Sequence, residues 1–108
     1  MDAEKYDLIT LGRSCIDLYS QNIGAPFNEI TGFDAFVGGS PLNIAVATSR
    51  LGINTSLLTA VGNDKIGEFI IDFLKREKVN IKTIPVKKGS RTSAAVLGIQ
   101  PPDNFPLV

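Results

Sequence analysis

The sequence predicts an α/β fold, a parallel sheet flanked by helices, and three observations predict it. Short apolar runs stopped by glycine alternate with helical stripes along the chain. The pair Gly38-Gly39 leads straight into a helix with a proline near its start. A second helix carries Ile66, Phe69, Ile70, Phe73 and Leu74 at spacings of three and four. Strands that alternate with helices pair in parallel and are covered on both faces.

Taken in order, Asp7 to Leu11 is a buried strand stopped by Gly12, and Ile16 to Ser20 is a second extended segment. Asn22 to Gly32 is a loop broken by Gly24, Pro26, Asn28 and Gly32, and Phe33 to Val37 is a short strand. Ser40 is the expected helix N-cap and Pro41 the first helical residue, where a missing N–H costs nothing. Ile44, Ala45, Thr48 and Leu51 form the stripe of that helix, and Gly52 follows its end. Thr55 to Val61 is the next strand, closed by Gly62. Asn63 or Asp64 caps the second helix, with Phe69, Ile70, Phe73 and Leu74 as core. The charged run Lys75 to Lys78 is its solvated end. Ile81 to Val86 and Thr92 to Ile99 are strands joined by the turn Lys87 to Ser90, and Pro85 puts the first at an edge. The tail Gln100 to Val108 ends on apolar residues with no return element, as though cut in mid-fold.

Composition narrows the function. The chain has 108 residues, a length that allows one domain at most. Eleven basic residues balance eleven acidic ones, so there is no basic face for nucleic acid or an anionic membrane. Histidine is absent, which removes Ser-His-Asp triads and His-ligated metal sites from this chain. The one cysteine, Cys15, allows no intrachain disulfide and fits the cytoplasm. Met1 to Lys5 is acidic and is no signal peptide, and no apolar run nears the ~20 residues needed to span a bilayer.

The stretch Val37 to Ala45 carries the chemistry. Glycines without Cβ atoms let a ligand approach the backbone, and the free N–H groups of the following helical turn point at it. The bland alternative is a tight strand-to-helix turn. A dinucleotide fold is a poor match, because Gly12-Arg13-Ser14-Cys15 lacks the Gly-x-Gly-x-x-Gly spacing.

The run Gly38-Gly39-Ser40-Pro41-Leu42-Asn43-Ile44-Ala45, with Gly52 and Gly62 at their spacings, resembles the N-terminal signature of the PfkB (ribokinase-like) carbohydrate kinases. Gly12 with Ile16-Asp17 resembles the strand-end aspartate of that family, and Val61 to Gly67 its Val-Gly-x-Asp-x-x-Gly segment. Within the family, Tyr6 to Ser14, Asp17-Leu18-Tyr19, Asn22 to Phe27 and Pro101 to Val108 resemble kinases of a six-carbon keto acid in myo-inositol breakdown. The resemblance implies a ribokinase-like parallel sheet with a small β-rich lid, of which this chain is the N-terminal part. Residues 1–15 and 38–86 fall in the core, and about 16–37 and 91–108 in the lid. It implies ATP and Mg²⁺ as cofactors, a sugar or sugar acid as substrate, and a homodimer formed through the lid. The family's Gly-x-Gly-Asp motif, which holds the catalytic base and the anion hole, has no counterpart here. Catalytic, nucleotide-binding and metal-binding residues are therefore not expected in this chain, and the isolated chain is expected to be inactive. A non-catalytic sugar-binding or dimerisation module is the alternative.

By the same resemblance, the backbone of Gly38 and Gly39 and the side chain of Asn43 hydrogen-bond sugar hydroxyls. Asp17 is a sugar ligand, since an ionised carboxylate accepts from vicinal hydroxyls; the alternative is a turn residue. Arg13 can grip a substrate carboxylate with its planar fork, or can be a surface arginine or a partner of Asp17. Arg91, beside the lid strand, is a second candidate. Cys15 is a small semi-buried residue and Asp64 a helix cap.

Overall fold

The computed structural model describes residues 5–108, so the expectation for Met1 to Glu4 lies outside the described residues. The elements are β1 (Leu8–Leu11), β2 (Cys15–Ser20), β3 (Phe33–Gly38), α1 (Ser40–Arg50), β4 (Thr55–Leu58), β5 (Val61–Gly62), α2 (Lys65–Arg76), β6 (Val86–Lys87) and β7 (Ser93–Leu97). Among the described residues the strands form three small sheets: β1 with β4, β3-β2-β7, and β5 with β6. No helix among them is long and apolar enough to cross a membrane.

The β1–β4 pair is parallel, with Leu8 opposite Thr55 and Leu11 opposite Leu58. Helix α1 is the crossover between them. It is tied to the strands by the Thr10 hydroxyl, which donates to the Pro41 carbonyl at 2.8 Å, and by the Thr48–Thr55 hydroxyl pair at 2.9 Å. Leu42 and Ala45 of α1, Leu57 of β4, and Ile70 and Leu74 of α2 are buried in one cluster. Both helices thus serve the Leu57 face. Ile9, Leu11 and Leu58 share the other face and are 53%, 77% and 37% exposed, so the sheet is not covered on both faces. Phe69 is half-buried rather than core, because Ile70 and Leu74 point to the centre of the α2 stripe.

Helix α1 starts one residue earlier than expected. Gly39 is its N-cap, with φ +104°, and Ser40 is its first residue and makes no side-chain cap bond. The Gly39 carbonyl instead accepts from Asn43 N–H at 2.9 Å. At the other end, Gly52 N–H reaches Ser49 and Ile53 N–H reaches Thr48, both at 3.0 Å, which is a Schellman closure with Gly52 left-handed. Helix α2 ends the same way on a non-glycine: Lys78 has φ +59°, and Val79 N–H reaches the Leu74 carbonyl at 3.1 Å. Its cap is Asp64, which accepts from Gly67 N–H at 2.7 Å. In the charged run, Glu77 is held by Arg50, whose Nε donates at 2.7 Å.

The expected strand Thr55 to Val61 breaks after Leu58, where the chain leaves β1 for a new partner. Of Ile81 to Val86 only the end is strand, β6, and it pairs in parallel with β5. No hairpin joins it to β7, because β7 pairs in parallel with β2, Cys15 opposite Ser93. The tail does return: Val96 and Val108 exchange hydrogen bonds at 2.7 and 2.8 Å, and Gln100 pairs with Asn104.

Candidate functional site

Asp17 lies on β2, the central strand of the β3-β2-β7 sheet. Side chains alternate along a strand, so Cys15 and Asp17 share a face. The buried Cys15 thiol donates to Asp17 Oδ1 at 3.2 Å. Across the antiparallel pair Cys15 stands opposite Gly38. A Cβ on Gly38 would lie 2.6 Å from Cγ of Asp17 and closer still to Oδ2, so the carboxylate folds back over the bare glycine. At Gly39 the positive φ strains any other residue, and a Cβ would meet the Arg13 carbonyl, 3.1 Å from its carbon. The structure therefore brings Arg13, Asp17, Gly38 and Gly39 together, at the turn into α1.

Electrostatics keeps the thiol a donor. Burial first, then its hydrogen bond to Asp17 and the Asp17 charge, push Cys15 up to about 11, while the Arg13 charge pulls the other way. Arg13 is thus within electrostatic reach of the Cys15–Asp17 pair. A neutral thiol is no nucleophile.

Asn43 takes a different place. It is exposed in the first turn of α1, on the wall of a cleft of about 560 Å³ shared with Phe36, Val37, Phe69 and Phe73. Arg13 and Arg91 line a separate cleft of about 240 Å³ with Gly12, Ser14, Thr59 and Lys87. Lys87 was not singled out in the sequence, where it reads as a turn residue, and no linear signal marks it.

A second feature ties the start of α2 to the start of β7. Asp64 Oδ2 accepts from Thr92 N–H at 2.8 Å, and Oδ1 from the Thr92 hydroxyl at 2.7 Å. The same hydroxyl accepts from Gly62 N–H at 2.9 Å. These bonds, chiefly the two from Thr92 and then that from Gly67, hold the Asp64 carboxyl below the usual carboxylate range. One carboxylate thereby caps α2 and fixes the residue before β7. Among the described residues no three His, Cys, Asp or Glu side chains come together, and none is assigned to Mg²⁺.

Parallel strand pairs, their crossover helices and the glycine turn make this a ribokinase-like α/β fold, in its N-terminal part. Residues 5–104 match the pfkB family of carbohydrate kinases, and the chain belongs to that family. It is 39% identical over 104 residues to a 5-dehydro-2-deoxygluconokinase of Bacillus anthracis (strain A0248), covering 95% of this chain and 31% of that protein. It is 40% identical over 103 residues to the 5-dehydro-2-deoxygluconokinase of Geobacillus thermodenitrificans (strain NG80-2), covering 94% and 31%. The chain thus spans about a third of the length of these curated relatives. Among solved structures, an uncharacterized sugar kinase from Pyrococcus horikoshii in complex with ATP superposes with a TM-score of 0.85 at 31% identity, over 94% of this chain and 33% of that one. A fructokinase from Halothermothrix orenii does so with a TM-score of 0.83 at 28% identity, over 94% and 37%.

Proposed function

We propose that this chain is the sugar-binding part of an ATP-dependent kinase that phosphorylates a hydroxyl of a keto-sugar acid, 5-dehydro-2-deoxygluconate. The observation that supports this reading most is the Asp17 carboxylate lying over Gly38, beside the bare backbone of Gly39. An ionised carboxylate is an acceptor only, so it takes the hydrogens of two neighbouring sugar hydroxyls. Cys15 holds one of its oxygens and leaves the other lone pairs for the ligand. The glycine backbone allows a sugar ring to come close, and Asn43 supplies a further amide. Arg13 is the residue proposed to face the substrate's acid group.

In this reading the β3-β2-β7 sheet is the lid, and two copies of the protein pair through it. The proposed setting is the cytoplasm, which a lone unpaired cysteine fits, and the proposed pathway is myo-inositol breakdown, which the motif resemblance implies. ATP and Mg²⁺ supply the phosphoryl group and neutralise its charge, through residues outside this chain. The chain's own residues bind and orient the accepting hydroxyl. Positioning alone does not supply the base and the anion hole, which carry most of the barrier reduction.

The test is an ADP-release assay on the whole gene product and on the 108-residue chain. The whole product should turn over ATP with 5-dehydro-2-deoxygluconate, and the isolated chain should not. A whole product silent on this acid and on neutral hexoses would overturn the proposal.

A further inference from the structure

We propose that the small cleft lined by Arg13, Lys87 and Arg91 is a carboxylate subsite, which takes the acid end of the sugar substrate. The inference rests on the sugar-kinase reading above and assigns the part of the site that selects an acid. The cleft lies where strands end at their carboxyl side. Gly12 and Arg13 follow β1, Thr59 follows β4, and Gly62 and Lys87 end the parallel pair β5 and β6. Ligands of α/β sheets bind at such edges. Arg91 lies just before β7, the strand that pairs in parallel with β2.

Three exposed cationic residues line this cleft, and no carboxylate lines it. The ion pairs among the described residues are Arg50–Glu77 and Lys65–Glu68, so none of the three has an acidic partner there. Of the two carboxylates near it in the fold, Asp64 spends both oxygens on Gly67 and Thr92, and Asp17 is the proposed ligand of the sugar hydroxyls. A bound anion would be attracted by all three like charges.

The surroundings are polar and fixed. Buried Ser14 shares a hydrogen bond of 3.0 Å with Thr59, giving a hydroxyl floor. Thr92 is buried and pinned by Asp64, which sets where Arg91 leaves the chain. A space of about 240 Å³ suits a carboxylate and the carbon or two behind it, not a nucleotide. It is also placed to serve Asp17. Ser14 directly precedes β2, and the Asp17 carboxylate leans back toward Gly38, the partner of the first β2 residue. A six-carbon acid can therefore put its hydroxyls on Asp17 and its carboxylate among the cations. Guanidinium forks suit that planar group, and Lys87 adds a point charge.

The experiment is isothermal titration of the whole gene product with 5-dehydro-2-deoxygluconate and with its primary amide, a neutral near-isostere. Wild type should prefer the acid by about tenfold or more, the scale of charge-assisted hydrogen bonds. Arg91→Ala and Lys87→Ala should each shrink that preference severalfold and leave amide binding within about twofold, with unchanged thermal midpoints. Arg91→Lys should recover part of it. Variants that keep the acid preference, or a wild type that binds acid and amide alike, would overturn the subsite while the sugar site stands. A wild type that binds neither would defeat both.

Discussion

The carboxylate of Asp17 occupies the space that a side chain on Gly38 would need: a Cβ there would stand 2.6 Å from Asp17 Cγ. Neither residue's identity makes sense alone. The glycine is required by the aspartate, and the aspartate's pose is allowed by the glycine.

That dependence can be measured. Gly38→Ala should destabilise the protein by about 1–3 kcal/mol, as overpacking does. In an Asp17→Ala background the same change should cost at least ~1 kcal/mol less, because its collision partner is gone. Denaturant midpoints of the four proteins give the coupling. Additive effects would mean that the two residues do not compete for one space.

Cys15 should act as a positioning residue for Asp17. Cys15→Ala removes the donor to Oδ1, and Cys15→Ser keeps a hydrogen on a shorter arm. The alanine variant should raise the sugar KM severalfold with the ATP KM unchanged, and serine should restore part of it. A purely packing role would make alanine and serine equal.

Lys78 adopts a left-handed conformation that costs an L-residue about 1–2 kcal/mol. Lys78→Gly should therefore stabilise the protein by roughly 0.5–1 kcal/mol, after the extra entropy glycine loses on folding. Urea unfolding reports it. A destabilised variant would show that the Lys78 side chain contributes more than its backbone costs.

Asp64 gives a pH dependence with a definite sign. Its folded carboxyl is held below the ordinary value, first by the Thr92 N–H and hydroxyl and then by Gly67 N–H. The folded state thus binds this proton less readily than the unfolded chain. The stabilisation is complete above the unfolded value of about 4 and is lost as pH falls below it toward the folded value. The thermal midpoint of wild type should exceed that of Asp64→Asn at pH 6, and the gap should close on acidification below about pH 4. A gap constant down to pH 2 would exclude the carboxylate as its source.

The elements that rest on local periodicity were legible in the chain. The α2 stripe shows in Ile66, Ile70 and Leu74, and the strand ending at Leu11 is bounded by Gly12, although Ile9 and Leu11 are exposed, contrary to the expected burial. What could not be read is what distant segments decide. The polar turn Lys87 to Ser90 looks like a hairpin, yet β7 pairs with β2, far back in the chain, because the register is a tertiary choice. Ser40 has the chemistry of a cap, but the positive φ of Gly39 places the boundary one residue earlier. In the site, Asp17, Gly38 and Gly39 were marked by motif, and Arg13 by its place after β1. The union of Arg13 with Lys87 and Arg91, and the Asp64–Thr92 tie, depend on contacts between segments distant in sequence and leave no linear pattern.

The most direct test of the account is the binding of sugar and nucleotide to the whole gene product carrying Asp17→Asn. The amide keeps the shape of the side chain but loses the charge and one acceptor. Hydrogen bonds to a charged group are worth about 1.5–3 kcal/mol. By isothermal titration, affinity for 5-dehydro-2-deoxygluconate should fall by about tenfold or more, and affinity for ATP should stay within about twofold. Unchanged sugar affinity, or an equal loss for ATP, would contradict the placement of the sugar at Asp17 and Gly38.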